Sequence, residues 1–234
     1  MIINCVWEHN GNDTLLYAVD YVGAYTRGEN LEAAIAKMPA EIRSYLLWIG
    51  DPIPEEEPEI VIVQEKESTL QISDADSDVL FDAEKRLLTK EEYDRLKALA
   101  LRSASDFLEL YNSVENKTEY AKQERTTFYG AVPRTAKEMM EHTKSVNEYY
   151  FGEIEVDADN QGTVLSCRQR GFKNLEIKHD LLMNTVFEGS YGEEWSIRKV
   201  IRRFIWHDRI HAKAMWRLAK SLGEKNVKNP FFFE

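Results

Sequence analysis

Cysteine is scarce: Cys5 and Cys167 are the only two in 234 residues. They are too few for a disulfide framework and too far apart for a CxxC metal motif, so both read as buried thiols. Long apolar runs are missing. None approaches the ~18 residues of a membrane-spanning helix, and no basic-then-apolar leader opens the chain. No membrane insertion is expected, and the expected location is cytoplasmic. Basic charge is also short, with 30 Lys and Arg against 41 Asp and Glu and a net charge of −11. Residues 1–67 hold thirteen acidic and four basic side chains, a net of −9, and the remaining 167 residues carry only −2. An acidic surface repels phosphate backbones, so no nucleic-acid partner is expected. No internal repeat is visible. What is present is enough length for one large or two small domains, and a 43% hydrophobic fraction to build a core.

Along the chain, Ile3, Cys5 and Trp7 alternate with polar neighbours and predict a strand over residues 2–8. The stretch TLLYAV, 14–19, predicts a second, with a turn at the intervening NGND. A short third strand fits between Gly23 and Gly28. The segment from Glu29 to Gly50 reads as helix, kinked or divided at Pro39, with Ile35, Met38, Ile42 and Leu46 as its buried stripe. DPIPEEEPE is a stiff acidic connector, and EIVIVQE, 59–65, a last strand. The result is a small ββ(β)αβ unit. The stretch YVGAYTRGENLEAAIAKMPAEIRSYLLWIGDPIP resembles the HicB-like antitoxin family through Gly23, Gly28, Leu31, Glu32 and Ala33. That resemblance implies an α+β module over residues 1–66, with a protein partner as its expected contact. Antitoxin members continue into a DNA-binding segment; here residues 67–88 are polar and aspartate-rich and read as a linker.

The remainder reads as helical. Thr89 and Glu92 form a capping box that opens a helix to about residue 114, with Tyr93, Leu96, Ala100, Phe107 and Leu110 toward a core. Residues 115–132 read as loop. Thr135 and Glu138 form a second box, opening a helix through Phe151 with Met139, His142, Val146 and Tyr149 on one seam. A third helix is predicted over roughly 168–186 through Phe172, Leu175, His179, Leu182 and Val186. The fourth lies within residues 195–223, where Val200, Phe204, His207, His211, Ala214, Leu218 and Leu222 make a seam. The predicted fold is an α+β N-terminal module, 1–66, a linker, 67–88, and an all-α up-down four-helix bundle, 89–234.

His207 and His211 stand one helical turn apart, so both imidazoles point to one side. A buried imidazole needs partners for both ring nitrogens, and a metal ion supplies one. His142 is a third seam histidine on another helix. Three neutral imidazoles suit Zn, Ni, Fe or Co and leave a position open for water or substrate. From the residues alone, the alternative is a set of unrelated core or capping histidines. Residues 86–223 resemble the DinB-like (damage-inducible) superfamily of four-helix proteins. PRTAKEMMEH carries His142, WSIRKVIRRFIWHDRIH carries His207 and His211, and the Trp195-Ser196-x-Arg198 opening also fits. The resemblance implies a divalent metal on His142, His207 and His211, Zn first, with Ni or Fe as alternatives. It also implies a low-molecular-weight thiol as a possible cofactor in transfer or isomerisation.

Other candidates have bland rivals. His179 reads as a core histidine, or else as a fourth ligand or a donor behind the ligands. Asp208 and Glu141 read as solvated charge. Tyr149 and Tyr150 either pack or orient a substrate. Arg203, one turn before His207, makes a salt bridge or binds a substrate carboxylate or thiolate. Arg198, Arg202, Arg209, Lys213, Arg217 and Lys220 read as a solvated face opposite the histidines, with an anion or partner site as the rival. His9 has no partner in view. The apolar tail NPFFFE is expected to dock on the bundle or on a second copy, which makes a homodimer plausible. The functional expectation is a metal-dependent enzyme activating a thiol or water against a small electrophilic substrate, by transfer, isomerisation or hydrolysis. Its rivals are a binding or regulatory module with a structural or vestigial metal, and a chain whose histidines merely pack.

Overall fold

A computed structural model describes every residue except 122, 123, 128 and 129, so part of the loop expected over 115–132 lies outside the described residues. The chain is mixed α and β, with a four-stranded sheet toward its N-terminus and five α-helices among the described residues. It divides into two compact units, Met1–Ala83 with Phe231–Glu234, and Glu84–Pro230.

In the first unit, β1 (Ile2–Asn10), β2 (Asp13–Ala18), β3 (Tyr25–Gly28) and β4 (Glu59–Glu67) lie in the order β3-β2-β1-β4. The pairs β1–β2 and β2–β3 are antiparallel and β4 runs parallel to β1. A parallel return needs a crossover, which α1 (Leu31–Ile49) provides. This is the ββ(β)αβ order read from the sequence.

Strand alternation puts Leu16 and Ala18 on one face of β2 and Leu15 and Tyr17 on the other. All four are buried, so both faces are covered. The first face belongs to α1: Thr26, paired with Leu16 across the strands, donates to the Ala34 carbonyl at 2.8 Å. The second is covered by the stretch expected as a linker. Ile72, Val79, Leu80 and Phe81 are buried, and the Phe81 ring lies 5.5 Å from that of Tyr17. The fully buried Glu8 carboxylate fastens this segment. It accepts from the Ser77 hydroxyl at 2.5 Å, the Asp78 and Val79 amides at 3.0 and 3.2 Å, and the Tyr17 hydroxyl at 3.3 Å. Residues 67–83 are therefore part of the first unit rather than a connector. Their aspartates obscured the three consecutive apolar residues, 79–81, that seal the sheet.

The two turn glycines have steric reasons. Gly23 has φ +89°, and a Cβ on Gly28 would sit 2.5 Å from the Asn30 carbonyl oxygen. Asn30 caps α1 by accepting from the Ala33 amide at 2.8 Å. Pro39 sits inside one continuous helix and does not divide it. The buried stripe runs through Ala34, Met38, Ile42 and Tyr45; Ile35 is only half-buried. The C-terminal tail, Phe231–Glu234, belongs to the first unit and docks on α1. Phe231 packs against Trp48 at 5.5 Å, and its carbonyl accepts from the Ser44 hydroxyl at 2.9 Å.

The second unit holds α2 (Lys90–Ser113), α3 (Ala136–Gly152), α4 (Val164–Leu175) and α5 (Ile197–Ser221). Both α4 and α5 pack on α2 and α3. The capping boxes at Thr89/Glu92 and Thr135/Glu138 are formed. The helix expected over 168–186 is instead α4. It starts earlier because Thr163 and Ser166 make a box with serine in the glutamate's place. The chain has left the helix well before Asn184, at φ +50°, whose amide donates to the Glu84 and Arg86 carbonyls at 2.7 Å each. On α3 the buried stripe is Ala136, Met139, Met140, Thr143, Asn147, Tyr150 and Phe151. It is turned by about one position from the expected seam, and its polar members Thr143 and Asn147 hid it.

Along α5, Val200, Phe204, His207, His211 and Leu218 are buried as the seam predicts. So are Arg202 and Arg209, which corrects the expectation of a solvated cationic face; Arg217 and Lys220 are exposed. Arg202 grips Glu84 through two bonds of 2.5 and 3.0 Å, and Arg198 pairs with Glu92 at 3.0 Å. Among the described residues no helix is long and apolar enough to cross a membrane.

Candidate metal centre

The helix periods decide which histidines meet. On α5 the four-residue spacing stacks His207 and His211, with ring centroids 4.5 Å apart. From α3, His142 enters between them, 5.0 Å from the His207 ring and 4.8 Å from that of His211. One nitrogen of each can be chosen so that all lie within 4.8 Å of one another. The Nε2 atoms of His142 and His207 are 3.2 Å apart. Two imidazoles on a tetrahedral zinc, each about 2.0–2.1 Å from it, have nitrogens about 3.3–3.4 Å apart. The observed separation is within a few tenths of an ångström of that value, so the donor set fits a divalent ion.

Electrostatics point the same way. Burial holds the His142 imidazole below its usual range of about 6.5. His207 is held well below it, first by burial, then by His211, His142, Arg203 and Arg168. Both rings are therefore neutral near pH 7, the form in which an imidazole offers a lone pair. The Nδ1 of His207 is buried and has no hydrogen-bond partner among the described residues. Its Nε2 faces another imidazole nitrogen. Without an ion one of these two nitrogens can donate to the other; a cation at the shared point would take the lone pairs of both.

No carboxylate or thiol belongs to this group among the described residues. His179 does not join it: it is exposed and lies four residues past the end of α4. His9 is in the first unit, stacked on Trp7 at 4.1 Å and paired with Glu65 at 3.1 Å. Glu141 is exposed and pairs with Lys144 at 2.7 Å. Tyr149 is partly exposed, whereas Tyr150 is buried with its ring 6.1 Å from His207.

Asp208 corrects the expectation of solvated charge. It points away from the histidines, as a neighbouring helix position must, but into the core. Arg168 of α4 binds both its oxygens, Nη2 to Oδ1 at 3.1 Å, and both side chains are fully buried. The Arg168 guanidinium also lies 4.2 Å from the centre of the Phe204 ring. This pair ties α4 to α5 at the level of His207, and the sequence reading did not single out Arg168. The one signal available was the charged pair Asp208 and Arg209 inside the run FIWHDRIH; a partner on another helix is not legible from spacing.

Arg203 is buried among rings, with its guanidinium 4.7 Å from Trp206 and 5.5 Å from both Tyr150 and Trp195. Lys199 is fully buried and pairs with Glu193 at 2.9 Å; burial pulls its ammonium down to about 8.

No family model matches this chain, and neither does any curated protein or solved structure.

Proposed function

We propose that His142, His207 and His211 hold one divalent metal ion in a metal-dependent enzyme that acts on a small electrophilic substrate by transfer, isomerisation or hydrolysis. The observation that carries this reading is the convergence of three largely buried imidazoles from two helices, with a separation between the His142 and His207 nitrogens suited to one tetrahedral ion. Zinc suits three imidazole donors best, with nickel or iron as alternatives. When bound, such an ion lowers the pKa of a coordinated water or thiol so that it is a nucleophile near neutral pH.

The chain's own residues prepare the place. Burial keeps His142 and His207 deprotonated, so protons compete weakly for the ligand nitrogens. Tyr150, buried with its ring 6.1 Å from that of His207 and 5.3 Å from that of Phe204, gives the centre an apolar wall on that side. Three protein ligands leave one tetrahedral position, which we assign to water or a low-molecular-weight thiol. Because His179 lies outside the group, the rival reading of a closed structural site loses the fourth ligand considered for it.

The same reading takes the second unit as an up-down four-helix bundle of the DinB-like kind. It takes the first as a HicB-like module that contacts a protein partner. Both rest on the motifs quoted from the sequence. A cytoplasmic location and a lack of nucleic-acid partners are part of the proposal, resting on composition.

The test is spectroscopic. Cobalt(II)-loaded protein is expected to give the intense visible bands of four- or five-coordination. It should gain a sulfur-to-cobalt charge-transfer band when a small thiol is added. Tightly bound cobalt with six-coordinate spectra and no response to thiol would overturn the open-site reading.

A further inference from the structure

We propose that one face of the second unit docks on an anionic lipid surface, with Leu87, Ile177, Leu182, Met183 and Val186 entering the boundary between headgroups and acyl chains. None of these residues belongs to the histidine cluster, and the contact is independent of metal binding. A peripheral contact of this kind needs no membrane-spanning helix.

Two segments build the face. The Leu88 amide donates to the Leu182 carbonyl at 2.9 Å, and the Asn184 side chain donates to the Glu84 and Arg86 carbonyls at 2.7 Å each. Residues 84–88 are thereby laid along residues 181–184. Beyond α4, tight turns bond the Leu181 amide to the Lys178 carbonyl at 3.4 Å and the Met183 amide to the Asp180 carbonyl at 2.8 Å. These turns keep Ile177 to Met183 in one compact stretch. Its apolar side chains stand in water: Ile177 is 72% exposed, Leu87 63% and Met183 59%, and Leu182 and Val186 are exposed as well. A contiguous exposed apolar surface marks a place of contact, whereas single exposed apolar residues do not.

Shape and charge select what covers it. A protein partner anchors itself by filling pockets with side chains. The crevice against this face, beneath Leu181 and Phe187, holds about 10 Å³, room for a water and not for a side chain. Apolar side chains that protrude from a face without a groove suit a deformable partner, and a lipid boundary is one. The rim is cationic. Lys85, Arg86 and Lys173 are exposed and Lys178 is half-buried, four cations against Glu176 and Asp180, in a chain whose net charge is −11. Glu176 is itself engaged by Lys97 at 2.5 Å. At physiological ionic strength charges are screened beyond about 8 Å, so the local rim outweighs the acidic excess of residues 1–67. Each Lys or Arg near an anionic leaflet strengthens attachment several-fold, and apolar insertion beside a basic rim supplies the two signals that stable attachment takes.

The experiment mixes full-length protein with sucrose-loaded vesicles and measures the fraction that sediments. One set of vesicles is phosphatidylcholine alone; the other has roughly a third phosphatidylglycerol. Wild type is expected to bind the mixed vesicles about tenfold or more tightly than phosphatidylcholine, and to be released as salt rises. Ile177→Ser combined with Met183→Ser should weaken binding by about tenfold or more, and Lys85→Gln combined with Arg86→Gln by about tenfold. All four positions are exposed, so circular dichroism should stay unchanged; if the serine pair misfolds, Ile177→Ser alone takes its place with a smaller loss. Val63→Ser, at a 54% exposed residue of the first unit, is the control and should bind as wild type does. No sedimentation with the mixed vesicles would overturn the lipid contact and leave an acidic protein segment as the occupant to seek. Binding that either pair of substitutions leaves intact, or that Val63→Ser weakens equally, would overturn it too. So would a wild-type dimer in sedimentation equilibrium that the serine pair makes monomeric, since a second copy would then cover the face.

Discussion

Arg168 and Asp208 offer the sharpest test of how α5 is held in place. Both side chains are fully buried and joined by two hydrogen bonds, and Arg168 also stacks on Phe204. Removing one partner strands the other's charge in the core, which costs about 3–5 kcal/mol. Asp208→Leu and Arg168→Met are each expected to lose that much in urea unfolding of the full chain, followed by far-ultraviolet circular dichroism. With a typical urea slope of about 1–3 kcal/mol/M, the midpoint falls by on the order of 2 M. The double variant is the discriminating one. It removes both charges and replaces them with apolar groups of similar bulk, so it should lie within about 1–2 kcal/mol of wild type. Losses under about 1 kcal/mol in either single variant, or a double variant as damaged as the sum of the two, would refute the buried-pair argument.

Three further outcomes follow from the geometry. His142 and His207 have depressed folded-state values, so the unfolded chain takes up protons that the folded chain refuses; their contribution to stability is present above about pH 6.5 and is lost as pH falls toward the folded values. The urea midpoint of metal-free protein should therefore drop between pH 7 and 5.5, and a His207→Gln variant with the same slope would show the reasoning to be wrong. A Cβ on Gly171 would meet the Phe151 ring at 2.1 Å, so Gly171→Ala should cost about 1–3 kcal/mol by overpacking; an unchanged melting temperature would mean that α3 and α4 yield freely. Glu8→Leu removes the acceptor that fastens residues 77–79, and hydrogen exchange at the Asp78 and Val79 amides should accelerate at least tenfold; unchanged protection would place the hold elsewhere.

Much of the first unit was legible because its signals are local. Alternation along Ile3, Cys5 and Trp7, the turn at 10–13, and the α1 stripe through Met38, Ile42 and Leu46 need no partner to be read. The cover on the second sheet face was missed because Asp74, Asp76 and Asp78 dominate its composition, while Val79, Leu80 and Phe81 do the sealing. The three histidines were legible through helix periodicity, since a polar residue at a seam position stands out against Leu and Ile. The limits of α4 were not: a serine at the third helical position completes the box in place of a glutamate, and His179 keeps the helical spacing after the helix has ended. Charged residues misled most. Arg202, Arg209 and Asp208 read as surface in a one-dimensional pattern but are buried; Arg202 pairs with Glu84 and Asp208 with Arg168, partners on other segments that spacing does not reveal.

The central claim is that three histidines hold a metal. Metal content per chain, measured by mass spectrometry on protein purified without a histidine tag and set beside the combined His142→Ala, His207→Ala and His211→Ala variant, tests it most directly. The account expects one tightly held divalent ion per chain in wild type and none in the variant, with the fold retained by circular dichroism. Wild type that binds no divalent ion even after incubation with zinc, or a folded variant that keeps the same metal content, would contradict it.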